Sequence, residues 1–155
     1  MTFGEVVLKI REDNGLSQSE LADRVHVTSQ AVSRWERSET VPTLDTLCVI
    51  SETFRVDAAA LLGLEETPVC QSCAMPLRIL DDFGTNTDET PVAEYCAHCF
   101  RGGAFTNNRT IEETAEANLY FLAEFNAENG TEFSEKDART VMLAHLAALK
   151  RWKKA

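Results

Sequence analysis

At 155 residues the chain has room for one domain or two small ones, and 44% hydrophobic with 26% charged residues is a globular composition, not a disordered or fibrous one. Its formal net charge of −10 argues against a non-specific nucleic-acid binder but leaves room for a local basic face. The longest apolar run, Ala58 to Leu62, is far short of a membrane span, and acidic Glu5 stands where a targeting segment would be basic, so a cytoplasmic protein with no membrane association is expected.

Phe3, Val6, Val7 and Ile10 recur at helical spacing ahead of an Asn14-Gly15 stop, which predicts a first helix over 3–13. Ser17-Gln18-Ser19-Glu20 is a capping box that opens a short helix from Gln18 to Val25, with Leu21, Ala22 and Val25 turned inward. The stretch from Thr28 to Glu39 reads as a helix with two unlike faces. Thr28 caps it, Ala31, Val32 and Trp35 share one face, and Ser29, Gln30, Ser33, Arg34 and Arg37 point elsewhere. Two short helices joined by a tight turn form a helix-turn-helix pattern. Pro42 and Thr43 open a fourth helix with Leu44, Leu47, Cys48, Ile50 and Phe54 as inward candidates, and Asp57 caps a short fifth that ends at Gly63.

The runs Leu16 to Ala22, Val27 to Glu36 and Pro42 to Leu47 resemble the Xre or phage-repressor type of helix-turn-helix domain, over roughly residues 3 to 63. His26 stands where that family usually has Gly in the turn, and Arg37-Ser38-Glu39 replaces a Gly-containing exit; His tolerates a left-handed backbone better than most residues. The resemblance implies double-stranded DNA as partner. By motif position Ser29, Gln30, Ser33 and Arg34 face base edges, while Gln18 meets a phosphate through its side chain and backbone amide, and Thr28 and Arg37 flank the contact. Gln30 has the donor and acceptor pair that fits adenine, and Arg34 the fork that fits guanine. Residues 1–66 carry six cations against twelve acids, a local net charge of −6, but Arg24, Arg34 and Arg37 cluster around the proposed recognition helix.

Residues 64–69 form a polar, proline-bearing linker, and the composition changes after it. Cys70-Gln71-Ser72-Cys73 and Cys96-Ala97-His98-Cys99 bracket a turn-rich segment with too little apolar material to hold itself together. Two Cys-x-x-Cys pairs aim four thiolates at one point, so Cys70, Cys73, Cys96 and Cys99 are expected to bind one structural zinc per chain. Disulfides, a redox pair and an iron–sulfur centre are the other readings of such cysteines; the first two need surroundings that the rest of the chain does not suggest. His98 is read as a surface residue, Cys48 as a small core residue and His145 as core or interface. Thr110-Ile111-Glu112-Glu113 caps a helix expected to run to Ala127 with Leu119, Leu122 and Phe125 on its buried side. Ser134 opens a last helix whose stripe is Ala138, Val141, Met142, His145, Leu146, Leu149 and Trp152. Lys150, Arg151, Lys153 and Lys154 suit the negative end of that helix.

The stretches Cys70 to Leu77, Phe83 to Asp88, Glu94 to Phe100 and Gly103 to Thr106, continuing to Leu149-Lys150-Arg151-Trp152-Lys153, resemble a zinc-ribbon family found in bacteria, with Ala74 and Glu89 at positions where the family tends to have Gly. That resemblance implies a zinc site and names no effector. The expected fold is mainly α: a five-helix domain over 1–63, then residues 70–155 as a ribbon of short strands (70–105) with a C-terminal helical hairpin (110–153). The leading functional reading is a sequence-specific DNA-binding transcription regulator, with a homodimer as a further expectation. The alternatives are a protein-interaction adaptor whose helix-turn-helix does not bind DNA, and a zinc- or thiol-responsive sensor. An enzyme is not expected, because no nucleophile stands with a base and a four-sulfur metal has no open position.

Overall fold

In the computed structural model, which describes residues 1–153, the first 61 positions hold five helices: α1 (Phe3–Asp13), α2 (Gln18–Arg24), α3 (Ser29–Glu36), α4 (Leu44–Phe54) and α5 (Ala58–Leu61). Each starts on a side-chain oxygen. Thr2, Ser17, Thr28, Thr43 and Asp57 accept from the backbone N–H three residues on, and at Thr2 and Ser17 the return bond from Glu5 or Glu20 completes a capping box. The expected apolar stripes are buried, with Val7, Leu21, Val32, Leu47, Ile50 and Leu61 almost inaccessible to solvent. Gly4 lets α1 lie against α3, since a Cβ there would sit 2.5 Å from the Trp35 carbonyl oxygen.

The recognition stretch is shorter than expected. It stops at Glu36 because Ser38 turns left-handed, at φ 57°, and the Ser38 and Glu39 amides fold back onto the Trp35 and Arg34 carbonyls. His26 holds the turn between α2 and α3 at φ 59°.

Residues 64–69 lead into two small antiparallel ribbons. β1 (Phe83–Thr85) pairs with β2 (Pro91–Cys96) through a register shift after Phe83, and β3 (Phe100–Arg101) pairs with β4 (Ala104–Phe105) across Gly102-Gly103. Both glycines have positive φ, as a two-residue type I′ hairpin turn requires. This module does not stand apart from the helices. Leu77, Leu80, Phe83, Cys70, Cys96 and Cys99 join the same buried cluster as the helical core, and the Leu44 amide at the start of α4 donates to the Glu89 carbonyl at 3.0 Å. Cys48 is therefore half-buried at this seam, 3.9 Å from Asp81, and not in a core interior.

The C-terminal region contains α6 (Ile111–Leu119), α7 (Leu122–Asn129) and α8 (Glu135–Ala147). The helix expected over 110–127 breaks at Tyr120-Phe121. Asn118 is tied to the Cys73 carbonyl at 2.8 Å, and the Phe121 amide makes a tighter, three-residue bond back to Asn118. The break turns the later residues outward, so Phe125 is 51% exposed, against expectation, while Leu119 and Leu122 are half-buried. In α8 the inward stripe is Ala138, Met142 and Leu146, four residues apart, which leaves Val141 and His145 one position off the seam and exposed. Leu149 and Trp152 keep their inward positions but lie beyond the end of the helix. Of the basic tail, Lys154 lies outside the described residues.

Ala74 and Glu89, the two ribbon positions singled out against glycine, take φ of 65° and 64°. A side chain is strained there. Ala74→Gly and Glu89→Gly should each stabilise the protein by about 1 kcal/mol, measured as a higher denaturation midpoint at unchanged metal content.

Candidate metal centre and nucleic-acid interface

The sulfurs of Cys70, Cys73, Cys96 and Cys99 all lie within 4.8 Å of one another, with Cys73 and Cys96 at 3.7 Å. A tetrahedral ion with sulfur at about 2.3 Å sets its ligands about 3.8 Å apart. The match in scale points to a single ion in the middle, and 3.7 Å is far outside bonding distance for a disulfide. Cys70 and Cys96 are fully buried, Cys99 nearly so and Cys73 half-buried.

Each pair is held by its own turn. The Cys70 amide donates to the Met75 carbonyl and the Ala74 amide returns to the Cys70 carbonyl. In the second turn the Cys99 amide donates to Cys96, and the Thr106 amide to Cys99. Gly84 lets this second turn pack tightly, since a Cβ there would meet the Phe100 carbonyl oxygen at 2.5 Å. Crowding couples the four thiols. Hydrogen bonds from Cys73, then Cys96 and Cys99, hold the Cys70 thiol below its ordinary range, while the Cys70 sulfur and then those of Cys96 and Cys99 push the Cys73 thiol up. Four buried sulfurs competing for protons form a donor set that fits a thiophilic dication, which would replace the protons. His98 is exposed and outside the cluster.

Three residues of this centre were not singled out from sequence. Ser72 is 1% exposed, and Arg151 and Trp152 both bond to it. The sequence signals are the place of Trp152 in the apolar stripe and of both residues in the Leu149–Lys153 stretch that resembles the zinc-ribbon family, and neither points to Ser72.

On the first domain, Gln30 and Arg34 are exposed on the outer face of α3, with Ser29 and Ser33 half-buried beside them. Thr28 is exposed and occupied in capping, accepting from the Ala31 amide at 3.2 Å. Arg37 is exposed but already engaged: it makes two bonds to Glu39, at 2.7 and 3.1 Å, and one to the Ser33 hydroxyl. The Gln18 side chain turns inward and donates to Glu36 at 2.8 Å, where Arg11 also binds at 2.5 and 3.3 Å. That network clamps α1, α2 and α3 and neutralises a half-buried carboxylate; hydrogen bonding to Glu36 raises the Arg11 pKa further. Among the described residues, Arg34 makes no ion pair and its side chain donates to no other group.

Residues 69–153 match the family described as "Putative zinc ribbon domain", and residues 7–61 match the family described as "Helix-turn-helix". The chain is 35% identical over 66 residues to the HTH-type transcriptional activator BcrR of Enterococcus faecalis. That stretch is 43% of this chain and 32% of the relative, so the shared part spans about a third of that protein's length. No solved structure matches the chain.

The sulfur geometry predicts one zinc per chain by metal analysis. Cys73→Ser or Cys96→Ser should remove it and lose the near-ultraviolet signal of the Tyr95, Phe100 and Phe105 stack, whose rings lie 5.1 to 5.4 Å apart, while α1 to α5 stay helical by far-ultraviolet dichroism. A variant with full zinc and native spectra would contradict the assignment.

Proposed function

The chain belongs to the zinc-ribbon family that residues 69–153 match, and from that premise, with a helix-turn-helix domain ahead of the ribbon, we propose that it is a cytoplasmic transcription regulator that binds double-stranded DNA sequence-specifically. The observation that carries this reading is the state of α3. Its neighbouring charges are paired off within the fold, whereas Gln30 and Arg34 stand exposed on one face, one turn apart. An acidic domain can meet a phosphate backbone if its acids are neutralised or distant and its readers are free, and Glu36 and Glu39 are both ion-paired. The description of the relative as a transcriptional activator accords with this reading.

In the complex, α3 enters the major groove with Ser29, Gln30, Ser33 and Arg34 toward base edges. Gln30 makes paired bonds to adenine and Arg34 to guanine, each worth about 1–3 kcal/mol of discrimination. Thr28 and Arg37 lie at the groove walls. Gln18 spends one amide proton on Glu36 and offers the other to a phosphate, which fixes register without reading sequence. Residues 1–63 thus read DNA, residues 64–69 link, and the described residues from 70 to 153 form the ribbon and its helices.

Zinc held by Cys70, Cys73, Cys96 and Cys99 supplies a cross-link and no chemistry, because four protein ligands leave no position for water or substrate. That supports a non-enzymatic role. A second copy of the chain is the partner we assign to the C-terminal helices: α7 buries none of its residues, and Tyr120, Phe121 and Phe125 next to or within it are 85%, 55% and 51% exposed. A short helix with no buried face gains little from propensity alone and needs a partner surface.

Selection of bound duplexes from a random pool should enrich one motif, two-fold related if sedimentation at micromolar concentration gives a dimer. Arg34→Ala should then relax preference at one base pair, and Gln18→Ala should weaken all duplexes alike. An Arg34→Ala protein that binds its selected duplex unchanged would refute the recognition-helix assignment.

A further inference from the structure

Four thiolates around one dication leave a net charge of about −2 at a buried centre, in a protein whose net charge is already −10. A buried charge of that size is costly unless another group offsets it. A cation reaches the turn between Cys70 and Cys73 from 79 positions along the chain. Arg151 Nη1 donates to Ser72 Oγ at 2.9 Å, and Nη2 donates to the Asn107 carbonyl at 2.8 Å. Its guanidinium lies 4.2 Å from the Phe105 ring centroid and 4.8 Å from that of Trp152, so stacking fixes the plane that the two bonds aim.

Ser72 is the link between this cation and the sulfurs. It lies between Cys70 and Cys73, is 1% exposed, and its hydroxyl accepts from Arg151. The backbone on both sides is pinned as well. The Arg151 amide donates to the Gln71 carbonyl at 3.1 Å, the Lys150 amide to the Gln71 side-chain oxygen at 3.4 Å, and Trp152 Nε1 to the Ser72 carbonyl at 2.7 Å. Lys150 itself is ion-paired with Glu94. The tail therefore grips both residues of the loop between Cys70 and Cys73 and delivers one cation there. Packing alone would need only Leu149 and Trp152. A guanidinium with both arms bonded, one of them to the buried hydroxyl that stands between two of the four cysteines, supplies charge.

We propose that Arg151, acting through Ser72, is the counter-charge of the four-cysteine centre and a positioning residue for its metal, so that the end of the chain sets how tightly zinc is held. This rests on the zinc reading above. If the full-length wild-type protein takes up no zinc, that reading fails; if it takes up zinc and Arg151 proves indifferent, only the present inference fails.

The experiment is zinc competition against a chromophoric chelator on the full-length protein, with far-ultraviolet dichroism to verify folding. Arg151→Gln should lower zinc affinity on the order of 10–100-fold, the range seen when a group behind a metal ligand is removed. Arg151→Lys keeps the charge without the fork and should recover most of that loss, which a purely packing role would not do. Ser72→Ala, which leaves the arginine and both rings in place, should weaken zinc in the same direction and decides the matter if Arg151→Gln does not fold. Wild-type affinity in Arg151→Gln or in Ser72→Ala, or an Arg151→Lys protein as weak as Arg151→Gln, would overturn the assignment.

Discussion

Four sulfur atoms drawn within 4.8 Å of one another are the constraint on which the second half of the chain depends. Two- to six-residue strands and a single 3₁₀ turn at Leu80–Asp82 cannot hold residues 70–105 in place by hydrogen bonding and apolar burial alone. Once the cysteine turns converge, other contacts become available. Phe83 pairs with Cys96 across β1 and β2, the Asn118 amide reaches the Cys73 carbonyl, and the tail finds Ser72. The convergence also reaches the first domain, because Cys70, Cys96 and Cys99 share a buried cluster with Leu47, Ile50 and Leu61. The first turn of α4 is anchored on Glu89 of the same module.

Charge organises the first domain in a complementary way. The sequence gives residues 1–66 a net charge of −6, a poor total for a surface that meets phosphate. The fold arranges that total unevenly. Arg11 and Gln18 converge on Glu36, and Arg37 folds onto Glu39, so acids at the end of α3 and just after it are neutralised locally. What remains outward on α3 is a glutamine and an arginine. Net charge describes solubility and long-range steering; which side chains can bond to a base edge depends on partners within a few ångströms.

The elements legible in the sequence were those written in short-range chemistry. Ser17, Thr28, Thr43, Asp57, Thr110 and Ser134 each mark a helix start three residues ahead of the amide they accept from. The four cysteines and the unusual His26, Ala74 and Glu89 backbones were likewise visible as spacings and departures. What escaped was set by distant partners. Helical periodicity ran through Tyr120 and on to Trp152 because nothing nearby in sequence interrupts it. The break follows from Asn118 binding a carbonyl 45 positions away, and beyond Ala147 the Lys150 and Arg151 amides leave the helical pattern to bond to Gln71. Phe125 and Val141 are exposed for the same reason: a stripe is read from its period, and the direction that it faces depends on where the helix stops.

The grip of the tail on Ser72 joins positions 79 and 80 residues apart. During synthesis the loop between Cys70 and Cys73 leaves the ribosome well before Arg151 and Trp152 do. The helix-turn-helix, whose contacts are mostly local, can form early, while the contacts made on Ser72 wait for residues 151 and 152 to emerge. In that interval the cysteine turns have neither their cation nor their cover. The contacts that close over this turn are therefore long-range ones, made only after the residues between have been added.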